Sequence, residues 1–243
     1  MLSRNILLIA VVSATLAACN TVQTQPPKVG AADDVAAWYV GSVPDDQYQI
    51  PLVNLAKLRP ELVRQTVSYD GSERPGTIVI DVDRRFLYLV QTDGTALRYG
   101  IGVGGEGFAW AGTTSVSMKR SWPNWNPPPR MLKRKPELPH HMDGGPDNPL
   151  GARALYLGSS LYRIHGTNEP WTIGEQASSG CIRLLNEDVL DLYERVPVGT
   201  RVVVKRTGRY PGVARAASPK LAAQEATSVD QRALELASSE APD

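Results

Sequence analysis

The first hydrophobic block in the chain is continuous: Ile6 to Val12 follow the basic Arg4 and give way to small residues. That layout predicts a secretory signal, since the run is too short to cross a bilayer comfortably. Residues 20 to 37 are polar, Pro-bearing and aperiodic, as a tether would be. From Trp38 to about Arg74 the pattern is mixed, and "NLAKLRPELVRQ" predicts a short helix interrupted before Pro60. Beyond Gly76 the spacing changes sharply. "TIVIDV", "RFLYLVQ" and "TALRYGIGV" are β-rich runs, and the last two flank Asp93-Gly94, a hairpin-turn signal.

Further short strands are expected at "TTSVSM", "ALYLG" and "YRIHG", with a closing strand "RVVVKR" entered through "PVGT". One segment in this region has helical spacing, "NEDVLDLYERV". Asn186 is placed to cap it, Glu187 and Asp188 suit its first turn, and Val189, Leu192, Tyr193 and Val196 share a face. After Arg206 the chain is Ala-, Ser- and Glu-rich and reads as a mobile tail with a short helix around "QRALELA". The stretch from Ser121 to Leu150 is too Pro-rich for regular structure and too aromatic for a plain linker, which predicts a lid or binding loop. Between Gly107 and Pro136 stand six basic residues and no acidic one. They form either a solvated face or a wall for a carboxylate-bearing substrate.

Composition narrows the classes. The 243 residues carry a formal charge of +1, and no stretch interleaves basic and aromatic residues, so nucleic acid is not an expected partner. The signal ends in Leu16-Ala17-Ala18-Cys19, similar to the lipobox of bacterial lipoproteins; the alternative is an ordinary signal with a chance cysteine. A lipidated Cys19 would anchor the mature chain to a membrane. Of two cysteines, that leaves Cys181, either buried and inert or kept for its reactivity.

Cys181 follows one of the three histidines, His165, by a short loop. A thiol becomes a nucleophile when a base takes its proton, and an imidazole can hand that proton on to a leaving amine. Gly180 permits a tight turn that would aim nearby amides at a developing oxyanion. Arg183 could keep the thiolate ionised or grip a substrate carboxylate. Spacing alone leaves a structural histidine and a packing cysteine as alternatives. A metal site is disfavoured, because His165, Cys181 and the pair His140-His141 lack paired-ligand spacing, and no cofactor is expected.

"IHGT" followed by "SSGCIRL" resembles the signature of the L,D-transpeptidase (YkuD-type) catalytic domain. "GTIVIDVDRRFLYLV" resembles that family's first hairpin, and "GGPDNPLGARALYLG" the segment before its histidine strand. The resemblance spans about Gly76 to Arg206. It implies a mainly β fold of two packed mixed or antiparallel sheets, a β-sandwich with one short helix after the cysteine and a Pro-rich lid. The resulting division is a signal at 1–18, a tether and lead-in at 19–75, a catalytic domain at 76–206 and a tail at 207–243.

By the same resemblance, Cys181 is the nucleophile and His165 the base, with Gly166 or Thr167 orienting the imidazole through a backbone carbonyl. The amides of Gly180 and Cys181 form the oxyanion hole. Arg183, Ser178, Ser179, Tyr162 and Asn168 are the implied substrate-binding positions, with Arg183 supporting either the loop or the substrate. Many family members carry histidine where this chain has Ser179, so His165 must act alone. The implied substrate is the peptidoglycan stem peptide, cleaved at its third residue and passed to an amine, in a 3-3 crosslink or in attachment of an outer-membrane protein. Hydrolysis at the same site, or a non-catalytic wall-binding lipoprotein, are the alternatives. The expected location is the periplasm, on a lipid anchor at Cys19, with the outer membrane favoured over the inner.

Overall fold

The computed structural model describes residues 32–104, 111–178 and 181–207. The predicted signal with Cys19, the tether up to residue 31, Ser179, Gly180 and the predicted tail beyond residue 207 lie outside the described residues; the end of the tether, expected to be aperiodic, is helical at Ala32–Ala36. After a short helix, α1 (Ala32–Ala36), the lead-in forms an antiparallel hairpin of β1 (Tyr39–Asp45) and β2 (Tyr48–Val53). The helix predicted next is instead two 3-10 turns, Leu55–Lys57 and Pro60–Leu62. Pro60 holds Arg59 extended and lacks an N–H, so the first turn cannot propagate into the second.

The rest is mainly β. The strands are β3 (Gln65–Ser68), β4 (Ile78–Asp81), β5 (Phe86–Val90), β6 (Thr95–Gly100), β7 (Val103–Gly104), β8 (Gly112–Ser121), β9 (Arg153–Leu157), β10 (Arg163–His165), β11 (Gln176–Ser178), β12 (Ile182–Arg183) and β13 (Arg201–Lys205). Nine form one mixed sheet in the order β12-β10-β9-β8-β13-β4-β5-β6-β3, and β7 pairs with β11 in a small second one. The hairpin β5–β6 turns at Asp93-Gly94 as expected: Gly94 takes φ +76, and the Asp93 carboxylate accepts the Thr95 amide at 3.0 Å.

Strand β8 joins the two halves. Its first residues pair with β13 and, beyond an irregularity between Val116 and Met118, the later ones pair with β9. Such a break in register bends a strand and lets one sheet fold over itself. Ile78, Ile80, Leu87 and Tyr99 from one half lie in the same buried cluster as Leu155, Leu157, Ile164 and Ile182 from the other. The sandwich core therefore exists, but its two layers are one hydrogen-bonded sheet. Each fully buried Ile or Leu there stabilises the fold by about 1.5–3 kcal/mol before entropy is counted.

Helix α2 (Pro129–Arg134) lies inside the 121–150 stretch, which is thus not free of regular structure. Pro129 occupies the first helical position, where a missing N–H costs nothing. Helix α3 (Asn186–Arg195) presents Val189 and Leu192 to the core, followed by Val196 at its C-cap. Among the described residues no helix is long and apolar enough to cross a membrane.

One expectation for α3 changes, while Glu187 and Asp188 stand in its first turn as expected. Asn186 does not cap the helix; Leu185 precedes it, and the Asn186 side chain bonds elsewhere. Glu187 and Asp188 also make specific contacts. Glu187 Oε1 accepts the Val53 amide at 2.5 Å, and Arg64 reaches Asp188 at 3.7 Å and Asp191 at 3.1 Å, so these carboxylates tie the lead-in to the helix.

Burial pushes the Asp188 carboxyl up to about 7, with Arg64 opposing and Glu187 and Asp191 assisting. A group raised in the folded state contributes stability that is complete below its unfolded value and disappears as pH rises through the folded one. The thermal midpoint of Asp188→Asn minus that of the parent is therefore expected to increase from about pH 4 to pH 7. A difference that stays flat across this window would mean that Asp188 is ionised throughout.

Candidate active site

Strands β10 and β12 run parallel, with Ile164 opposite Ile182 and His165 opposite Arg183. Both isoleucines are fully buried on the core face. Alternation then places Arg163, His165 and Arg183 on the other face. Cys181 stands one residue before Ile182 and, by the same alternation, belongs to that face, diagonally across from His165. Diagonal neighbours in a sheet lie about 7–8 Å apart at the backbone, within reach of an imidazole. Electrostatics agree with the register: the charges of Arg163 and Arg183 act on both His165 and Cys181.

His165 is buried, and its Nδ1 lies 2.6 Å from the Gly166 carbonyl oxygen. A carbonyl only accepts, so Nδ1 carries the proton and the neutral ring keeps its lone pair on Nε2. Burial, helped by Arg183 and Arg163 and opposed by the carbonyls of Gly166 and Leu150, pushes the imidazolium down to about 3. The ring is thus neutral at rest.

Gly166 has no room for a side chain: a Cβ there would lie 2.2 Å from Asn186 Oδ1. Asn186 uses that closeness. Its Oδ1 accepts the Ala152 amide at 3.0 Å and its Nδ2 donates to the Thr167 carbonyl at 3.0 Å. The Gly166 amide in turn donates to the Arg153 carbonyl at 3.1 Å. The segment that presents the imidazole is therefore fixed from both sides.

Cys181 is half-buried, and its Sγ donates to the Leu161 carbonyl at 3.9 Å. Burial pushes the thiol up, while Arg163 and Arg183 pull it down without cancelling that effect. A protonated thiol and a neutral imidazole is the resting pair.

Of the two roles expected for Arg183, support of the loop or of the substrate, its contacts are with the loop. Its Nη1 contacts Glu169 Oε2 at 2.7 Å and Thr172 Oγ1 at 3.2 Å, so a carboxylate already compensates much of its charge. It braces the 166–172 segment. Thr167 is buried and its hydroxyl accepts the Glu169 amide at 3.0 Å, which shapes the same turn. Asn168 donates to the Asp147 carbonyl at 2.8 Å and accepts the Tyr39 hydroxyl at 3.1 Å, joining the histidine loop to the 121–150 stretch and to β1. Tyr162 is half-buried against the core, and Ser178 pairs through its backbone with Gly104. Ser179 and Gly180, the latter expected to contribute an amide to an oxyanion hole, lie outside the described residues.

The 121–150 stretch is built on its own scaffold. Trp125 and Met142 bridge across it with bonds of 2.8 and 2.9 Å, and the buried Asn148 donates to the carbonyls of Pro123 and Asp143. His141 sits between Asn126 and Asp143 in this loop, and His140 is exposed beside it. Arg130, Lys133, Arg134 and Lys135 are exposed on and just after α2. Lys119 does not belong with them: its Nζ donates to the Val196 carbonyl at 2.9 Å and to that of Tyr193, closing the C-terminus of α3.

Three supporting residues escape the motif reading. Asn186 can be recognised only once Gly166 and Gly151 are seen to make room for it. Arg163 was detectable from alternation, two residues before His165. Asp45, in the lead-in, forks onto Arg153 at 2.6 and 2.7 Å and accepts Trp122 Nε1 at 2.8 Å, so the first hairpin holds both the start of β9 and the root of the 121–150 stretch.

Comparison with known proteins agrees in one direction. The family model described as the L,D-transpeptidase catalytic domain, YkuD, matches residues 75–204. The chain is similar to Probable L,D-transpeptidase YbiS of Escherichia coli K12, with 35% identity over 176 residues, 64% of this chain and 56% of YbiS. It is 40% identical over 150 residues to Probable L,D-transpeptidase ErfK/SrfK of the same strain, 58% of this chain and 47% of that protein. The chain thus spans about half the length of these curated relatives. A crystal structure from Brucella melitensis, described as a probable carnitine operon oxidoreductase, shares 51% identity over 63% of this chain and 99% of its own, with a TM-score of 0.42.

Proposed function

The chain belongs to the L,D-transpeptidase YkuD catalytic-domain family, and on that premise we propose that it transfers peptidoglycan stem peptides through a thioester on Cys181. The observation that carries the reading is the parallel pairing of β10 with β12, which brings the residue before Ile182 to the face of His165, with the charges of Arg163 and Arg183 acting on both groups.

In the proposed reaction, Sγ attacks the carbonyl carbon of the third stem residue as His165 Nε2 takes the thiol proton. The tetrahedral intermediate collapses, the amide C–N bond breaks, and that proton goes to the departing amine of the terminal D-amino acid. An acceptor amine then attacks the thioester, His165 takes its proton, and the C–S bond breaks with return of the proton to sulfur. Because both groups rest neutral, proton transfer accompanies attack. The Gly166 carbonyl supports the imidazolium that forms transiently.

The acceptor is an amine on a second stem, giving a 3-3 crosslink, or on an outer-membrane protein. The basic residues at 130–135 favour encounter with the carboxylates of the stem. Membership places the enzyme among cell-envelope proteins, and the lipobox-like Leu16-Ala17-Ala18-Cys19 supports a periplasmic lipoprotein on the outer membrane.

Incubation with purified disaccharide-tetrapeptide, followed by mass analysis, tests the activity. Dimers joined between third residues, with one D-amino acid released per bond, are expected. Free tripeptide alone would establish hydrolysis instead, and unchanged substrate would overturn the reading.

A further inference from the structure

Arg163 stands two residues before His165 on β10 and, by the parallel register, faces Cys181 across the ladder. Two features fix its side chain. It lies directly opposite Tyr156 in the antiparallel pairing with β9, and its guanidinium carbon sits 5.0 Å from the centre of the Tyr156 ring. Continuing the register that pairs Ile164 with Ile182 brings Arg163 level with Cys181, and Arg163 acts to lower the Cys181 thiol against its burial.

Among the described residues, the charged and titratable groups around this sulfur are Arg163 and His165 from β10, Arg183 from β12 and, through Arg183, Glu169 of the following turn. His165 is neutral at rest and offers no charge. Arg183 is bound to Glu169 at 2.7 Å, which compensates much of its field. Arg163 has no ion-pair partner among the described residues, and its Nε is buried without a hydrogen-bond partner. A guanidinium without a counter-charge, next to a thiol, stabilises negative charge on sulfur more than a paired one does.

We infer that Arg163 is a further catalytic residue of this site, the cation that holds the Cys181 sulfur as its negative charge develops and, in the second half of the reaction, as it leaves. Burial opposes ionisation of the thiol, and Arg163 keeps that penalty from closing off the nucleophile. His165 is neutral at rest, and Arg183, although it also acts on the sulfur, is held by Glu169. The inference rests on Cys181 being the nucleophile, but it can be tested without turnover.

The test is the pH dependence of alkylation of Cys181 by iodoacetamide, a neutral reagent, in the full chain without substrate, read at the Cys181 peptide by mass spectrometry. Arg163→Gln is expected to slow alkylation at pH 7 about tenfold and to move the midpoint of the profile upward by about one pH unit, with the plateau at high pH retained. Arg163→Lys is expected to recover most of the rate, and Arg183→Gln to move the midpoint less than Arg163→Gln. A midpoint unchanged in Arg163→Gln overturns the inference. So does an equal loss in the Lys and Gln variants, which would mark a structural role, or a larger shift in Arg183→Gln. Thermal melting of each variant reports on folding; should Gln not be tolerated, Arg163→Met removes the charge instead, and a midpoint there identical to the parent's overturns the inference by itself. Failure of the transpeptidase reading would show instead as turnover retained in a chain lacking Cys181, and would leave these thiol profiles unchanged.

Discussion

Replacement of Cys181 by alanine is expected to lower conversion of disaccharide-tetrapeptide by at least about a thousandfold, to the level of uncatalysed background. Removing the nucleophile of a covalent mechanism costs orders of magnitude, because binding and oxyanion stabilisation have no bond to act on. The fold should be indifferent to the change. Cys181 is half-buried at the edge of β12, outside the apolar cluster, so the cavity left by one sulfur is small and the thermal midpoint is expected to move by no more than about 2 °C. The same variant should fail to label with an iodoacetamide probe at this position. A variant that converted substrate at a tenth of the parental rate would remove Cys181 from the nucleophile's role, whatever its surroundings.

The second large effect concerns stability, and it lies far from the cysteine in sequence. Asp45→Ala is expected to destabilise the protein by about 3–5 kcal/mol, because it leaves the Arg153 guanidinium buried without its counter-ion. The two oxygens of Asp45 meet two nitrogens of Arg153 at 2.6 and 2.7 Å, and the Arg153 side chain is 7% exposed. The fork from Arg153 holds the Asp45 carboxyl below the usual carboxylate range despite partial burial. Trp122 Nε1 loses its acceptor in the same variant, at a residue already held at φ +42. At about 2–4 °C per kcal/mol for a chain of this size, the midpoint should fall by about 10 °C. Replacing both partners with apolar residues, Asp45→Leu with Arg153→Met, is expected to regain most of the loss, since the penalty comes from the unpaired charge rather than from the missing bond. Additive losses in the double variant would contradict that explanation. The consequence reaches the site, because the Arg153 carbonyl receives the Gly166 amide and the Gly166 carbonyl orients His165.

These two effects mark what the sequence reveals and what it conceals. The central strands are legible because β-branched runs such as Ile78 to Val82 are buried wherever they go, and the Asp93-Gly94 turn carries its own geometry. Helix α3 is legible from the spacing of Val189, Leu192 and Val196. The hairpin at 39–53 is not, since β1 exposes most of its residues and its attachment depends on an ion pair 108 positions apart. Local pattern holds no record of such a partner. The expected helix before Pro60 fails because one proline divides it. The pairing of His165 with Cys181 is visible in the motif, but the division of labour between the two arginines is not. The division proposed here depends on Glu169 meeting Arg183 and on the register of β10 against β12. Asn186 illustrates the same limit. Its type and position suit a helix cap, and only the absence of a Cβ at Gly166 reveals that its amide holds the histidine loop.

The thioester itself is the central claim, and intact-protein mass spectrometry tests it most directly. The full chain is mixed with disaccharide-tetrapeptide, quenched in acid within seconds, and digested to locate any added mass. The account predicts a transient gain equal to the disaccharide-tripeptide acyl group on Cys181, matched by release of one terminal D-amino acid, and loss of that gain when an acceptor amine is supplied. Product accumulating with no adduct at any time, or an adduct on a residue other than Cys181, would contradict it.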